Sequence, residues 1–121
     1  MGIVKYDLED RLVKFACMCL EVCDLLPATK AGINLEYQLA KSGTAPALLY
    51  GEAQAAESRA DFIHKMKIAL KELRESRINL RIIKEKPLTT DEKIDITFKE
   101  VNELIGIFTS SIETAKKNHN K

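Results

Sequence analysis

The sequence has no tryptophan, only two histidines, three prolines, three cysteines and five glycines in 121 residues. Two histidines leave little material for general acid–base chemistry, and there is no glycine-rich phosphate loop, no Ser-His-Asp set and no cysteine nucleophile with a histidine partner. The Glu-x-x-His pairs of a carboxylate-bridged metal centre are missing as well, and Glu72 with Glu75 resembles only half of one. The three cysteines, Cys17, Cys19 and Cys23, are an odd number crowded into one short segment, which suits free thiols in a reducing compartment better than a disulfide framework. Cys19 and Cys23 stand one helical turn apart, but a closed zinc site needs four ligands, and His64 and His119 are single residues far away in sequence. No run approaches the roughly 18 apolar residues of a membrane span. The N-terminal stretch is broken by Asp7, Glu9, Asp10, Arg11 and Lys14, unlike a signal peptide. The expectation is a soluble, cytoplasmic chain with no catalytic site, metal or cofactor. An excess of one charge is also lacking: 19 basic against 18 acidic residues give a formal net charge of +1, so binding to nucleic acid has to come from a local patch.

What is present is helical periodicity. Leu8, Leu12, Phe15, Cys19, Val22 and Leu26 recur in steps of four and three and predict a first helix, stopped by Pro27 at about Leu25 or Leu26. After Pro27-Ala28-Thr29 a second helix carries Leu35, Leu39, Ser42, Leu49, then Glu52 or Ala53, and Ala56 on its core face. Gly43, Ala45, Ala47, Gly51, Ala53, Ala55 and Ala56 are small enough to admit another helix closely, and Pro46 predicts a kink near Ser42 to Ala45. Ser58 caps a third helix, with Asp61 favouring its positive end. Phe62, Met66, Ala69, Leu73, Ser76, Leu80 and Ile83 form its core face, and Pro87 marks its end. Thr89 and Glu92 have the spacing of a capping box, opening a fourth helix with Ile94, Phe98, Val101, Ile105, Phe108 and Ile112 as its seam. The tail from Lys116 to Lys121 is expected to fray. Short connections make neighbouring helices antiparallel, so residues 1–121 read as a single all-α domain, an up-down-up-down four-helix bundle.

Two constellations remain. Ile68, Ile78 and Ile82 on the third helix, with Ile96, Leu104 and Ile107 on the fourth, lie off the seams and predict a homo-oligomer interface. Lys67, Lys71, Arg74, Arg77, Arg81 and Lys84 line one broad side of the third helix. Such a ridge tracks phosphates or meets an acidic partner; alternatively, Glu72, Glu75, Glu85 and neighbouring helices neutralise it as a solvated face.

Leu26-Pro27, Gln38-Leu39-Ala40-Lys41 running through Pro46 to Glu52, and above all Phe62 with Ile68-Ala69, Glu72-Leu73 and Glu75 resemble a known family across nearly the whole chain. It comprises the small four-helix proteins first noticed as reading frames in intervening sequences of bacterial 23S ribosomal RNA genes. Where that family usually has Asn-Ile-Ala-Glu-Gly, this chain has Leu49-Tyr50-Gly51-Glu52-Ala53 and keeps only the glutamate in register, as in a divergent branch. The resemblance implies a closed ring of bundles, a pentamer, with Glu52 bonding across the bundle or between subunits. It also implies kinship to the accessory variability determinants of diversity-generating retroelements, which bind a reverse transcriptase and nucleic acid. The functional expectation is a non-enzymatic oligomeric adaptor for RNA, DNA or a nucleic-acid enzyme. Its rival is a protein-only scaffold that ignores nucleic acid.

Overall fold

A computed structural model describes residues 7–119, with the side chain of His119 outside that description. It contains four helices and, among the described residues, no strand: α1 (Leu8–Cys23), α2 (Lys30–Gln54), α3 (Arg59–Glu85) and α4 (Lys93–His119). Each helix packs against its sequence neighbours, and α4 closes on α1 in the slightest of the four contacts. No described helix is long and apolar enough to cross a membrane.

The helix starts follow from side-chain capping. An oxygen of Asp7 accepts from the Asp10 amide at 3.0 Å, Thr29 Oγ1 from the Gly32 amide at 3.1 Å, and Ser58 Oγ from the Asp61 amide at 3.0 Å. The fourth start differs from the Thr89–Glu92 box. Thr89 Oγ1 accepts from the Asp91 amide at 3.3 Å, too early to serve the helix, and Asp91 instead caps it by accepting from the Lys93 amide at 2.9 Å. At the end of α1 the regular helix stops at Cys23, short of Leu25. Tightened turns, Leu25 N–H to the Val22 carbonyl and Leu26 N–H to that of Cys23, carry the chain on to Pro27. The segment Ser42 to Ala45 stays helical, and α2 continues through a buried Pro46. The expected fraying of the tail is not seen from Lys116 to His119, which continue α4; Asn120 and Lys121 lie outside the described residues.

The core is built from Leu12, Phe15, Cys19 and Val22 of α1, Leu39 of α2, Met66, Ala69, Leu73, Leu80 and Ile83 of α3, and Val101, Leu104 and Phe108 of α4. Two phase errors separate it from the sequence reading. On α3, Ile63 is buried where Phe62 was expected, and Phe62 is half-buried beside it. On α4 the buried line runs Ile94, Thr97, Val101, Leu104, Phe108, Ile112 and Ala115, while Phe98 and Ile105 flank it. A threonine sits in that core because its hydroxyl donates to the Lys93 carbonyl at 2.7 Å, so no polar atom is left unpaired.

Polar contacts tie the helices in register. Between α2 and α3 the Ser42 and Ser76 hydroxyls lie 3.0 Å apart, Asn79 Nδ2 donates to Ser42 Oγ at 3.1 Å, and Ser76 donates to the Glu72 carbonyl at 3.0 Å. A chain of donors from Asn79 through Ser42 and Ser76 to that carbonyl uses each hydroxyl proton once. Between α1 and α4, Arg11 binds Glu100 through two nitrogens, at 2.6 and 2.8 Å, and Glu103 at 2.7 Å. Tyr50 of α2 meets the Phe108 ring edge-on, with centroids 6.2 Å apart.

Glycine is required at two places. A Cβ on Gly32 would fall 1.9 Å from the Pro27 carbonyl oxygen, and one on Gly43 would fall 2.6 Å from both Cβ and Sγ of Cys19. The second contact sets how closely α1 approaches α2. Gly43→Ala is expected to lower stability by about 1–3 kcal/mol through overpacking, even though alanine is the better helix former. Adding Cys19→Ala should recover only part of the loss in chemical denaturation, because the Cys19 Cβ itself occupies the space.

The thiols divide by environment. Cys17 is exposed, whereas Cys19 and Cys23 are buried. Burial pushes the Cys19 thiol far above its ordinary pKa; Cys23 is raised to about 11, by burial first and then by the Glu36 and Asp24 carboxylates. Its thiol donates to the Glu36 carbonyl at 3.4 Å. Alkylation of the native protein near neutral pH is therefore expected to modify Cys17 fast, with Cys19 and Cys23 reacting only on unfolding. Three thiols reacting together would contradict this packing.

Candidate nucleic-acid and partner interface

The cation ridge of α3 divides into two groups. The cations nearer its C-terminal end are already engaged. Arg77 Nε donates to Asn102 Oδ1 at 2.9 Å, with its guanidinium carbon 5.7 Å from the centre of the Phe98 ring; Arg81 pairs with Glu85, and Lys84 Nζ lies 2.6 Å from Asp95 Oδ1. Lys67, Lys71 and Arg74 are exposed and make no ion pair or side-chain hydrogen bond among the described residues. These three surround a shallow groove of about 560 Å³, floored by Leu70 and Ile78 and edged by Glu75, Asn79 and Gln38 of α2.

Glu72 lies beside this groove, with its Oε1 buried and unpartnered among the described residues. Burial raises its pKa first, and the hydrogen bond and charge of Glu75 add to that; Lys41 and Lys71 pull the other way. Among the residues that line the groove, Lys67, Lys71 and Arg74 outnumber the single carboxylate, Glu75.

Of the expected interface residues, Ile78, Ile82 and Ile96 are 46%, 45% and 53% exposed. Ile68 and Ile107 are half-buried. Leu104 is a correction: it is 0% exposed and belongs to the core, because the α4 seam passes through Thr97 and Leu104 rather than Phe98 and Ile105. Ile78 and Ile82 share a second groove of about 500 Å³ with Arg81, Glu85 and Lys86. Glu52 is exposed and takes Lys65 as its partner at 2.8 Å. Among the described residues no three His, Cys, Asp or Glu side chains are placed to share a metal ion. The sequence reading missed Val13, Leu20, Ile33, Tyr37 and Leu48, all large apolar side chains at least two-fifths exposed. Their signal was the exposed side of the first two helices, behind core faces already accounted for.

Comparison with known proteins bears on this arrangement. No curated protein matches the chain. The crystal structure of a protein of unknown function from the S23 ribosomal protein family of Bacteroides thetaiotaomicron is similar, with a TM-score of 0.80 and 28% identity. The match covers 88% of this chain and 98% of that one. The model of the 23S rRNA-intervening sequence protein family matches residues 6–110. That span takes in α1, α2, α3 and most of α4, including every residue of the groove, and so this chain belongs to the 23S rRNA-intervening sequence protein family.

Proposed function

We propose that this protein is a non-enzymatic, cytoplasmic adaptor that assembles into a ring of bundles, a pentamer, and binds nucleic acid, or a nucleic-acid enzyme such as a reverse transcriptase, through α3. The observation that carries the reading is the trio Lys67, Lys71 and Arg74, exposed, unpaired among the described residues and gathered on one groove. In a chain of net charge +1 this is the local patch that phosphate binding requires. The accessory-protein kinship suggested by the sequence resemblance points the same way. Arg77, Arg81 and Lys84, spent on internal partners, drop to a secondary role.

The bundle is read as up-down-up-down. Supporting this, Ser42 meets Ser76 while Glu52 meets Lys65, and Arg77 meets Asn102 while Lys84 meets Asp95, so numbering runs in opposite directions along each pair. Ile78, Ile82 and Ile96 are exposed on the outer sides of α3 and α4, as ring contacts between subunits would have them. The protein-only scaffold keeps one specific observation in its favour, the neutralised half of the ridge.

Anisotropy titrations with single-stranded and duplex RNA and DNA test the reading. Three phosphate contacts per chain predict affinity falling on the order of 20-fold or more between 50 and 200 mM salt. Replacing Lys67, Lys71 and Arg74 together by glutamate should abolish binding, while Arg81→Glu leaves it nearly unchanged. Absence of binding at the lowest salt leaves the scaffold.

The ring makes a separate prediction. Light scattering at tens of micromolar is expected to give an assembly, and Ile78→Glu with Ile82→Glu should break it with helix content intact. A monomeric wild-type protein would remove the ring.

A further inference from the structure

The groove beside Lys67, Lys71 and Arg74 has two chemically different edges. At about 100° per residue, Lys67 and Arg74 lie within about 20° of each other around α3, whereas Glu75 and Asn79 stand about 80–140° round from them. The second edge faces α2, because Asn79 Nδ2 donates to Ser42 of that helix at 3.1 Å and Gln38 of α2 completes the rim. Lys71 stands between the two edges, and half-buried Leu70 gives the floor apolar surface.

These edges ask for different parts of one ligand. The cations hold phosphate. A carboxylate repels it, so Glu75, exposed and paired with no cation among the described residues, is out of place in a site for phosphate alone. Glu75 shares a hydrogen bond with Glu72, but a carboxylate accepts at about four lone-pair sites and keeps others open. One turn further on, Asn79 has its Nδ2 committed to Ser42 and offers Oδ1 as an acceptor. Two acceptors in a row suit the exocyclic amino groups of bases, and a glutamate accepting from cytosine N4 is the matching contact. Uracil and thymine present a carbonyl at that position, which sets an acceptor against an acceptor.

A base can reach this edge only when it is unpaired. The site spans α2 and α3, and two packed helices, each about 10 Å across with axes about 8–10 Å apart, are wider than the roughly 12 Å major groove of a duplex. Against a duplex this face meets the backbone alone. Unpaired bases splay out and settle on apolar and hydrogen-bonding side chains while their phosphates stay on cations.

We propose, on the nucleic-acid reading above, that the groove takes a single strand, with phosphates along Lys67 and Arg74 and bases turned toward α2, and that Glu75 selects cytosine over uracil or thymine.

Anisotropy titrations of the wild-type protein with 12-nucleotide runs of cytosine and of uracil, or thymine in DNA, test this, together with a mixed-sequence strand measured free and annealed to its complement. The cytosine run is expected to bind at least about 5-fold tighter than the uracil run, although the two carry equal charge. The free mixed strand should bind tighter than its duplex. Glu75→Gln should tighten binding of the uracil run and erase the preference, since a carboxamide can turn to serve either base and no longer repels phosphate. Its melting temperature should match the parent's, because Glu75 is exposed. Equal affinity for the two runs, a preference that survives Glu75→Gln, or a duplex bound as tightly as the free strand overturns the proposal and leaves the three cations as a phosphate site. Failure of every strand to bind at the lowest salt overturns the nucleic-acid reading as well.

Discussion

Two hydroxyls facing each other in the middle of the bundle govern where everything on its surface lies. Ser42 and Ser76 are buried, at 3% and 0% exposure, and a buried hydroxyl without a partner costs on the order of 1–3 kcal/mol. Sliding α3 along α2 by one turn would part the buried Ser42 hydroxyl from both Ser76 and Asn79, while Ser76 would keep its bond to the Glu72 carbonyl within α3. The register is therefore held by polar satisfaction, while the surrounding leucines, which tolerate sliding, supply the bulk of the burial. Gln38 and Asn79 at the rim of the cationic groove stand where they do because of this pair.

Commitment of the inner side of α3 to two neighbours leaves its outer side for solvent and partners. Electrostatics then sorts that outer side along its length. Toward α4, acids and an amide at Asp95 and Asn102 come within reach and draw in Lys84 and Arg77. Toward the other end no carboxylate among the described residues pairs with Lys67 or Arg74, and burial raises the pKa of the Glu72 carboxyl beside Lys71. A ridge uniform in sequence thus becomes unequal in space.

How far the sequence could be read depended on whether one residue's neighbours decide its role. The first helix was legible because its apolar residues sit on a single phase, and Ser58 as a cap needed only local chemistry. The α4 seam was not, because a buried threonine that satisfies its own hydroxyl breaks the apolar pattern, and Phe98 and Ile105 offered a competing phase; Leu104 went to the surface on paper for that reason. The Thr89–Glu92 box failed to a rival with a shorter reach, Asp91. For the candidate site, the six cations were visible as residues, but which three are spent was invisible, since Asn102 and Asp95 are distant in sequence.

The closure of α4 on α1 has a kinetic side. Contacts between sequence neighbours close short loops, but the clamp of Arg11 on Glu100 and Glu103 joins residues 89 and 92 positions apart. Contacts between positions so distant in sequence gain nothing until the intervening chain is ordered. On that ground the helical hairpins are expected to form before the α1–α4 seam shuts. Because that seam is also the slightest of the four helix contacts, native-state hydrogen exchange is expected to find it opening before the α2–α3 contact does.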